Sequence, residues 1–257
     1  MNPARDPSSR FRVDGQVAIV TGASSGLGVA VARSLRSAGA RVALVARRAD
    51  RLHALADELD GEAIACDLLD PVARAQVVPS VVTKLGPPTL LVNAAGGVTG
   101  ITPAEDESLE AIARTLELNL VAAMHLAQAV FPHQRSQGGG STVFISSIGG
   151  RVGVPGIPQA SYAASKAGLS GLCTELAIQW APHKIRVNTV APGFFRSEIT
   201  DSLYDTERGR AWLERNTPLG SDATAEDIVG AIQWLCSPAG SYATGQTIVV
   251  DGGWTAR

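Results

Sequence analysis

The run Val17-Ala18-Ile19-Val20-Thr21-Gly22-Ala23-Ser24-Ser25-Gly26-Leu27-Gly28 decides the fold. Its four leading apolar residues read as a strand buried on both faces, because a half-exposed strand alternates apolar with polar positions. A glycine-rich turn follows without a linker, and the apolar spacing across Leu27–Ser37 then reads as a helix. Glycines in such a turn let backbone N–H groups and a helix N-terminus approach a pyrophosphate. The spacing is G-x-x-x-G-x-G, not the general dinucleotide fingerprint G-x-G-x-x-G. By itself the turn could be a plain strand–helix connection. Its place directly after the first strand favours phosphate binding.

Outward from this run the same alternation repeats. Further apolar runs stand at Val42–Ala46, Ala63–Cys66, Leu90–Val92, Thr142–Ile145, Ile185–Val190 and Thr247–Val250. Between them lie helical patterns over Arg48–Leu59, Pro71–Leu85, Leu109–Arg135, Tyr162–Pro182 and Ala225–Leu235. Alternating strands and helices predict an α/β fold: a single doubly wound, parallel, seven-stranded sheet covered by helices on both faces. Residues 1–14 read as a flexible polar leader and 15–257 as one domain. Two loops break the rhythm, Gly96–Glu107 and Gly193–Ser221. Both leave the carboxyl ends of strands, where α/β sheets bind ligands, and 193–221 reads as a substrate-side lid.

Composition excludes several classes. The chain has 257 residues, 45% hydrophobic and 18% charged, with a net charge of −2. That is apolar enough for a core and too sparsely charged for disorder. No clustered Lys/Arg excess marks a nucleic-acid platform. No apolar stretch has membrane-helix length, and the opening residues lack a secretory core, so a cytoplasmic protein is expected. Cys66, Cys173 and Cys236 are far apart and odd in number, which argues for reduced, buried thiols rather than disulfides. His53, His125, His133 and His183 stand singly, so neither a metal site nor histidine acid–base chemistry is expected.

The second informative stretch is Tyr162-Ala163-Ala164-Ser165-Lys166. Residues four apart share a helix face, so the phenol and the ammonium are neighbours. Bringing a phenol from a pKa of about 10 to 7 takes roughly 4 kcal/mol. A cation about 4 Å away supplies ~1 kcal/mol in water but ~4 at an effective dielectric near 20. Lys166 therefore activates Tyr162 only inside a sheltered cleft. The chain has three lysines, Lys84, Lys166 and Lys184, so this one is not drawn from a crowd.

Together these features resemble the short-chain dehydrogenase/reductase family, from Gly15 to Trp254. Further matches follow in order: Asn93-Ala94-Ala95-Gly96, Asn119 within Glu117-Leu118-Asn119, Ser146-Ser147, Pro192-Gly193, Thr244-Gly245-Gln246 and Val250-Asp251-Gly252-Gly253. The resemblance implies a Rossmann-type catalytic domain, with Tyr162 as general acid/base. Lys166 would lower the tyrosine pKa and hold the nicotinamide ribose. Ser147 would position the substrate oxygen, with Ser146 as its rival, and Asn119 would support a water-linked proton relay. The interval from Ser147 to Tyr162 is slightly longer than in many relatives, and the extra residues fall in Val152–Pro158.

The resemblance also implies a cofactor cleft. Gly22, Ser24, Ser25, Gly26, Leu27 and Gly28 would meet the pyrophosphate. Asp67 and Leu68 would contact adenine, and Asn93, Pro192 and Gly193 would line the cleft. Ser197, in the same loop as Phe195, would contact the nicotinamide amide. Cofactor choice rests on Ala46-Arg47-Arg48: an acidic residue there accepts from an NAD ribose, whereas a guanidinium suits a 2′-phosphate. NADP is expected, with NAD less favoured. Ser25 stands where NADP-preferring relatives often carry a basic residue, and Asp50 could still serve an NAD ribose. Asp251 reads as structural.

The expected function is an NADP(H)-dependent oxidoreductase moving a hydride between nicotinamide and a carbonyl or secondary alcohol. The alternatives are an NAD-dependent sugar-acid or polyol dehydrogenase and a non-catalytic dinucleotide sensor. Pro218-Leu219-Gly220 and Asp251-Gly252-Gly253-Trp254 look like sugar-acid and polyol dehydrogenases, but equally like β-ketoacyl carrier-protein reductases. Arg151 and Arg196 could meet a substrate carboxylate, but each reads first as a solvated surface charge. Phe194, Phe195, Tyr204 and Trp212 would suit an apolar ketone. Leu116, Leu118, Leu120, Val121, Met124, Leu126 and Val130 nearly encircle their helix, which predicts a partner surface. In relatives such helices pair across a twofold axis and the C-terminal segments, here Thr247–Trp254, across another. A homotetramer is expected, then a homodimer.

Overall fold

The computed structural model describes residues 7–98, 100–198 and 200–256. Residues 1–6 of the expected leader, Thr99 in the first loop and Ile199 in the second lie outside them. Seven strands form one parallel sheet: β1 (Val17–Thr21), β2 (Arg41–Ala46), β3 (Glu62–Ala65), β4 (Leu90–Asn93), β5 (Gly140–Ile145), β6 (Ile185–Pro192) and β7 (Thr247–Val250). Their order is β3-β2-β1-β4-β5-β6-β7, the doubly wound arrangement expected from the sequence. The chain reverses direction across the sheet between β1 and β4, which opens a crevice at their carboxyl ends.

Alternate residues of each strand feed two cores. Ala18 and Val20 of β1 join the layer built by α1 (Gly26–Ser37), α2 (Ala49–Leu59) and α10 (Glu226–Cys236). Val17 and Ile19 join the opposite layer, with α4 (Val77–Leu85), α6 (Ala122–Ser136) and α7 (Ala160–Trp180). Every residue of β1 is buried, as a continuous apolar run requires.

The structure differs from the sequence reading in four places. Pro71–Leu85 is two helices, α3 (Pro71–Ala75) and α4, because the Pro79 ring meets the carbonyl position of Ala75 and has no N–H to bond it. Leu109–Arg135 is interrupted: α5 (Leu109–Leu116) passes through a π-helical turn at Glu117–Val121 before α6. The segment 193–221 carries α8 (Asp201–Tyr204) and α9 (Glu207–Asn216), the latter capped by Thr206, which accepts from the Gly209 N–H at 3.1 Å. Residues 7–14 are docked rather than loose. Val13 is buried and bonds the Ala38 carbonyl, and Arg10 bonds the Pro238 carbonyl.

Candidate active site

The turn between β1 and α1 forms the floor of the crevice. Gly22 and Gly26 have φ of +70° and +50°, a region that strains any side-chain-bearing residue. A Cβ at Gly28 would come within 2.2 Å of the Gly22 carbonyl oxygen, so only glycine lets α1 close onto the turn. Helices α3, α5 and α9 have their N-termini capped by Asp70, Ser108 and Thr206. At α1 the cap residue Ser25 makes no such bond, and no acidic residue stands in the first turn. A helix N-terminus with no side-chain cap and no acidic residue in its own first turn suits a pyrophosphate. The residues present therefore fit a dinucleotide.

Across the crevice, α7 carries Tyr162 and Lys166 one turn apart. Lys166 is 4% exposed; its Nζ donates to the Ile145 carbonyl at the end of β5 (2.9 Å) and lies 5.6 Å from the Tyr162 ring centre. An ammonium has three donors, so two remain for ribose hydroxyls. Burial pushes Lys166 down to about 8. Burial also raises the Tyr162 phenol, and hydrogen bonding from Ser147 pulls the other way. Desolvation is the larger of the two effects and Lys166 is not among the causes, so the expected lowering by Lys166 is not seen and the phenol stays protonated at neutral pH.

Asn119 lies at the centre of the π turn, where the widened helix presents its amide to the β4 loop. Its Nδ2 donates to the Gly97 carbonyl and to Ser165 Oγ, both at 3.0 Å, and its Oδ1 accepts from the Gly97 N–H. Both donor hydrogens are therefore spent inside the protein, and what Asn119 offers a water is an acceptor. Ser146 is buried and donates to the Lys166 carbonyl (2.7 Å), so its hydroxyl proton is committed within the protein. Ser147 is half-buried beside Tyr162, its Oγ accepting from the Gly149 N–H. Gly96 went unweighted in the sequence as a contact residue. A Cβ there would sit 2.9 Å from Lys166 Nζ and 3.1 Å from Asn119 Oδ1.

The rest of the expected cleft is more varied. Asn93 is buried, its Nδ2 donating to the Ala123 carbonyl at 3.4 Å. Leu68 is buried, while Asp67 is exposed and accepts from the Leu69 N–H. The Leu68 carbonyl takes a bond from the buried Arg74, which also pairs with Glu117 at 2.7 Å and so ties the expected adenine loop to the π turn. Gly193 packs against Asp251, where a Cβ would lie 2.7 Å from its Cα. Asp251 accepts from Gly253 and Thr255 and is structural, as expected. Ser197 bonds Thr200 and reaches the glycine turn, its Cβ 3.7 Å from a Cβ placed on Gly26. Arg47 is exposed. Arg48 instead bonds Ser24 and Glu198, and Arg51 joins it on Glu198. Sequence reading missed Arg51 and Glu198.

On the substrate side, Arg196 is the surface charge that the sequence reading favours over a carboxylate contact. Arg196 is bound by Asp205 at 3.0 Å and Asp201 at 3.6 Å, so it is not a free cation for a substrate carboxylate. Phe194, Trp212 and Trp254 form one ring cluster, with centroid distances of 4.9–5.4 Å. An open hollow of about 280 Å³ lies beside Ser147 and Tyr162, with Gly149 in a wall otherwise made largely of Val152, Val154, Ile157, Pro158 and Ala163.

Comparison with known proteins places this geometry. A family model described as Enoyl-(Acyl carrier protein) reductase matches residues 22–255. D-threitol dehydrogenase of Mycolicibacterium smegmatis is 36% identical over 252 residues, covering 96% of this chain and 95% of that protein. A short-chain type dehydrogenase/reductase from Mycobacterium marinum superposes with a TM-score of 0.90 at 35% identity, over 97% of this chain and 99% of that one. A gluconate 5-dehydrogenase from Burkholderia cenocepacia, solved with NADP and tartrate, gives 0.91 at 29% identity, over 97% and 98%. By fold, motif order and these likenesses, the chain belongs to the short-chain dehydrogenase/reductase family.

Proposed function

We propose that the protein is an NADP(H)-dependent oxidoreductase acting on a neutral carbonyl or the matching secondary alcohol. The observation that carries this reading is the convergence of Tyr162, Ser147, Lys166 and Asn119 at the carboxyl ends of β4 and β5, next to an anion-ready glycine turn. A bound nicotinamide would supply or accept the hydride. Tyr162, kept protonated by burial, donates to the oxygen that gains charge during reduction. Ser147 stabilises that oxygen by hydrogen bonding. Lys166 holds a positive charge beside the phenol and directs its spare donors toward the ribose. Asn119 fixes the Gly97 backbone, and thereby the floor on which Lys166 rests.

The apolar cavity wall supports a substrate with a hydrocarbon flank. A sugar acid or polyol with NAD is the second reading; the named activities of the relatives favour its substrate class, though the gluconate 5-dehydrogenase structure holds NADP. A cofactor sensor would need none of the four catalytic groups. Turnover of NADPH and NADH against a panel of ketones, sugar acids, polyols and acyl thioesters separates these readings. The expected result is NADPH oxidation with apolar ketones; binding without turnover on any carbonyl would favour the sensor.

The segment 193–221 would close over the substrate. For the assembly we infer a homotetramer, with a homodimer second. Val121 and Met124 on the π turn and α6, and Ile178 on α7, remain exposed, and β7 is an edge strand. A light-scattering mass of one chain would overturn both. A cytoplasmic, reducing setting fits three buried, unpaired thiols, and no helix among the described residues is long and apolar enough to cross a membrane.

A further inference from the structure

Glu198 stands in the substrate-side segment, 150 residues along the chain from Arg48, yet the two are ion-paired at 2.9 Å. Arg51 binds the other oxygen of the same carboxylate. Arg48 is also anchored to the glycine turn, through its Nε to Ser24 Oγ (3.1 Å) and through Nη2 to the Ser24 carbonyl (3.2 Å). Two guanidiniums from the start of α2 thus converge on one anion, beside the turn that suits the pyrophosphate and at the strand end where a ribose 2′ position is read. A carboxylate that takes one N–H nitrogen from each of two guanidiniums marks a place where a phosphate monoester could take the same donors. The pairing keeps Glu198 down to about 2, so it is charged at any working pH, and a dianion that binds the same two guanidiniums competes with it directly.

We propose that Glu198 is an internal stand-in for the cofactor 2′-phosphate, and that Arg51 is a cofactor-specificity residue alongside Arg48. The inference rests on the NADP reading above. Before cofactor arrives, Glu198 latches segment 193–221 to the adenosine end of the crevice. A 2′-phosphate takes over Arg48 and Arg51, and Glu198, now facing a dianion without a partner, moves away with its segment. A cofactor lacking that phosphate leaves the latch in place. Phosphate recognition and release of the substrate-side segment are then one exchange of anions. All the groups involved are partly exposed, so the exchange is shallow and reversible.

The test is calorimetric titration of the full chain with adenosine 2′,5′-bisphosphate and with 5′-AMP, for wild type, Glu198→Gln and Arg51→Gln. Wild type should prefer the bisphosphate. Glu198→Gln should tighten bisphosphate binding about three- to tenfold by removing the competitor, and Arg51→Gln should weaken it by a similar factor, both leaving 5′-AMP unchanged. In limited proteolysis, cleavage within 193–221 should speed up with bisphosphate, but not with 5′-AMP. Equal binding of the two nucleotides by wild type would overturn the NADP reading and the latch with it. A wild-type preference for bisphosphate with no effect of Glu198→Gln would overturn the latch alone. Weakened 5′-AMP binding in Glu198→Gln would make Glu198 a ribose acceptor instead, which also overturns it.

Discussion

Lys166, Asn119 and Ser146 are almost fully buried and bonded to backbone or to one another's neighbours, whereas Glu198 of segment 193–221 meets the start of α2 through ion pairs that water reaches. The first region is stiff because each polar group would be costly to leave unpaired inside the protein. The second is adjustable because exposed ion pairs contribute little and exchange readily. The contrast separates two tasks. Proton transfer needs groups held to a fraction of an ångström, while admitting cofactor and substrate needs a segment that can let go.

The sharpest way to break the comparison is Lys166→Met. Turnover should fall by roughly 10²-fold or more, since the variant removes the cation beside the acid. Stability should move the other way. Holding the cation at about 8, against 10.5 for a free lysine, costs the fold about 3 kcal/mol, and the lost bond to Ile145 returns ~1–2. The variant should therefore gain about 1–2 kcal/mol in denaturant melts at pH 7. Below pH 8, Lys166 is charged in the folded and unfolded chain, and the cost is carried in full. As pH rises from 8 toward 10.5 the folded protein sheds the proton first, so the advantage of the variant should fade, and wild-type turnover should fall over the same interval. A stability loss at pH 7 would mean that the burial of Lys166 is not the strain described.

Gly96→Ala sharpens the same point at smaller scale. The added methyl pushes into Lys166 Nζ and Asn119 Oδ1, both side-chain ends that can yield. Turnover should drop about 10- to 100-fold for a shift of this kind, with stability changed by under ~1 kcal/mol. Unchanged kcat would show that the cluster tolerates displacement. The smallest effect belongs to the other region: Arg196→Ala removes two exposed pairs, with Asp201 and Asp205. Melts should shift by no more than about 1 kcal/mol, and kcat should change less than with Gly96→Ala. A sugar-acid KM that rises with this variant would restore Arg196 as a carboxylate contact.

Much of the molecule was legible because burial leaves a plain pattern. Strands such as Val17–Thr21, covered on both faces, read as unbroken apolar runs, and the Tyr162–Lys166 spacing places two reactive groups on one helix face. What stayed hidden depends on contacts between distant parts of the chain. The π turn around Asn119 has no periodicity of its own, and α9, with Leu213 its only fully buried large side chain, is too polar to announce a helix. Arg51 could have been noticed three residues after Arg48 on the same helical face. Nothing in the sequence could pair it with Glu198, which lies 147 residues away.

Tyr162→Phe tests the central claim most directly, because it keeps the ring and removes only the proton donor. NADPH binding and steady-state turnover should be measured side by side on the best ketone from the panel. The predicted result is a turnover lower by roughly 10²–10⁴-fold with cofactor affinity retained. Turnover equal to wild type would contradict the assignment of the acid, and with it the division between a buried chemical centre and a surface that selects.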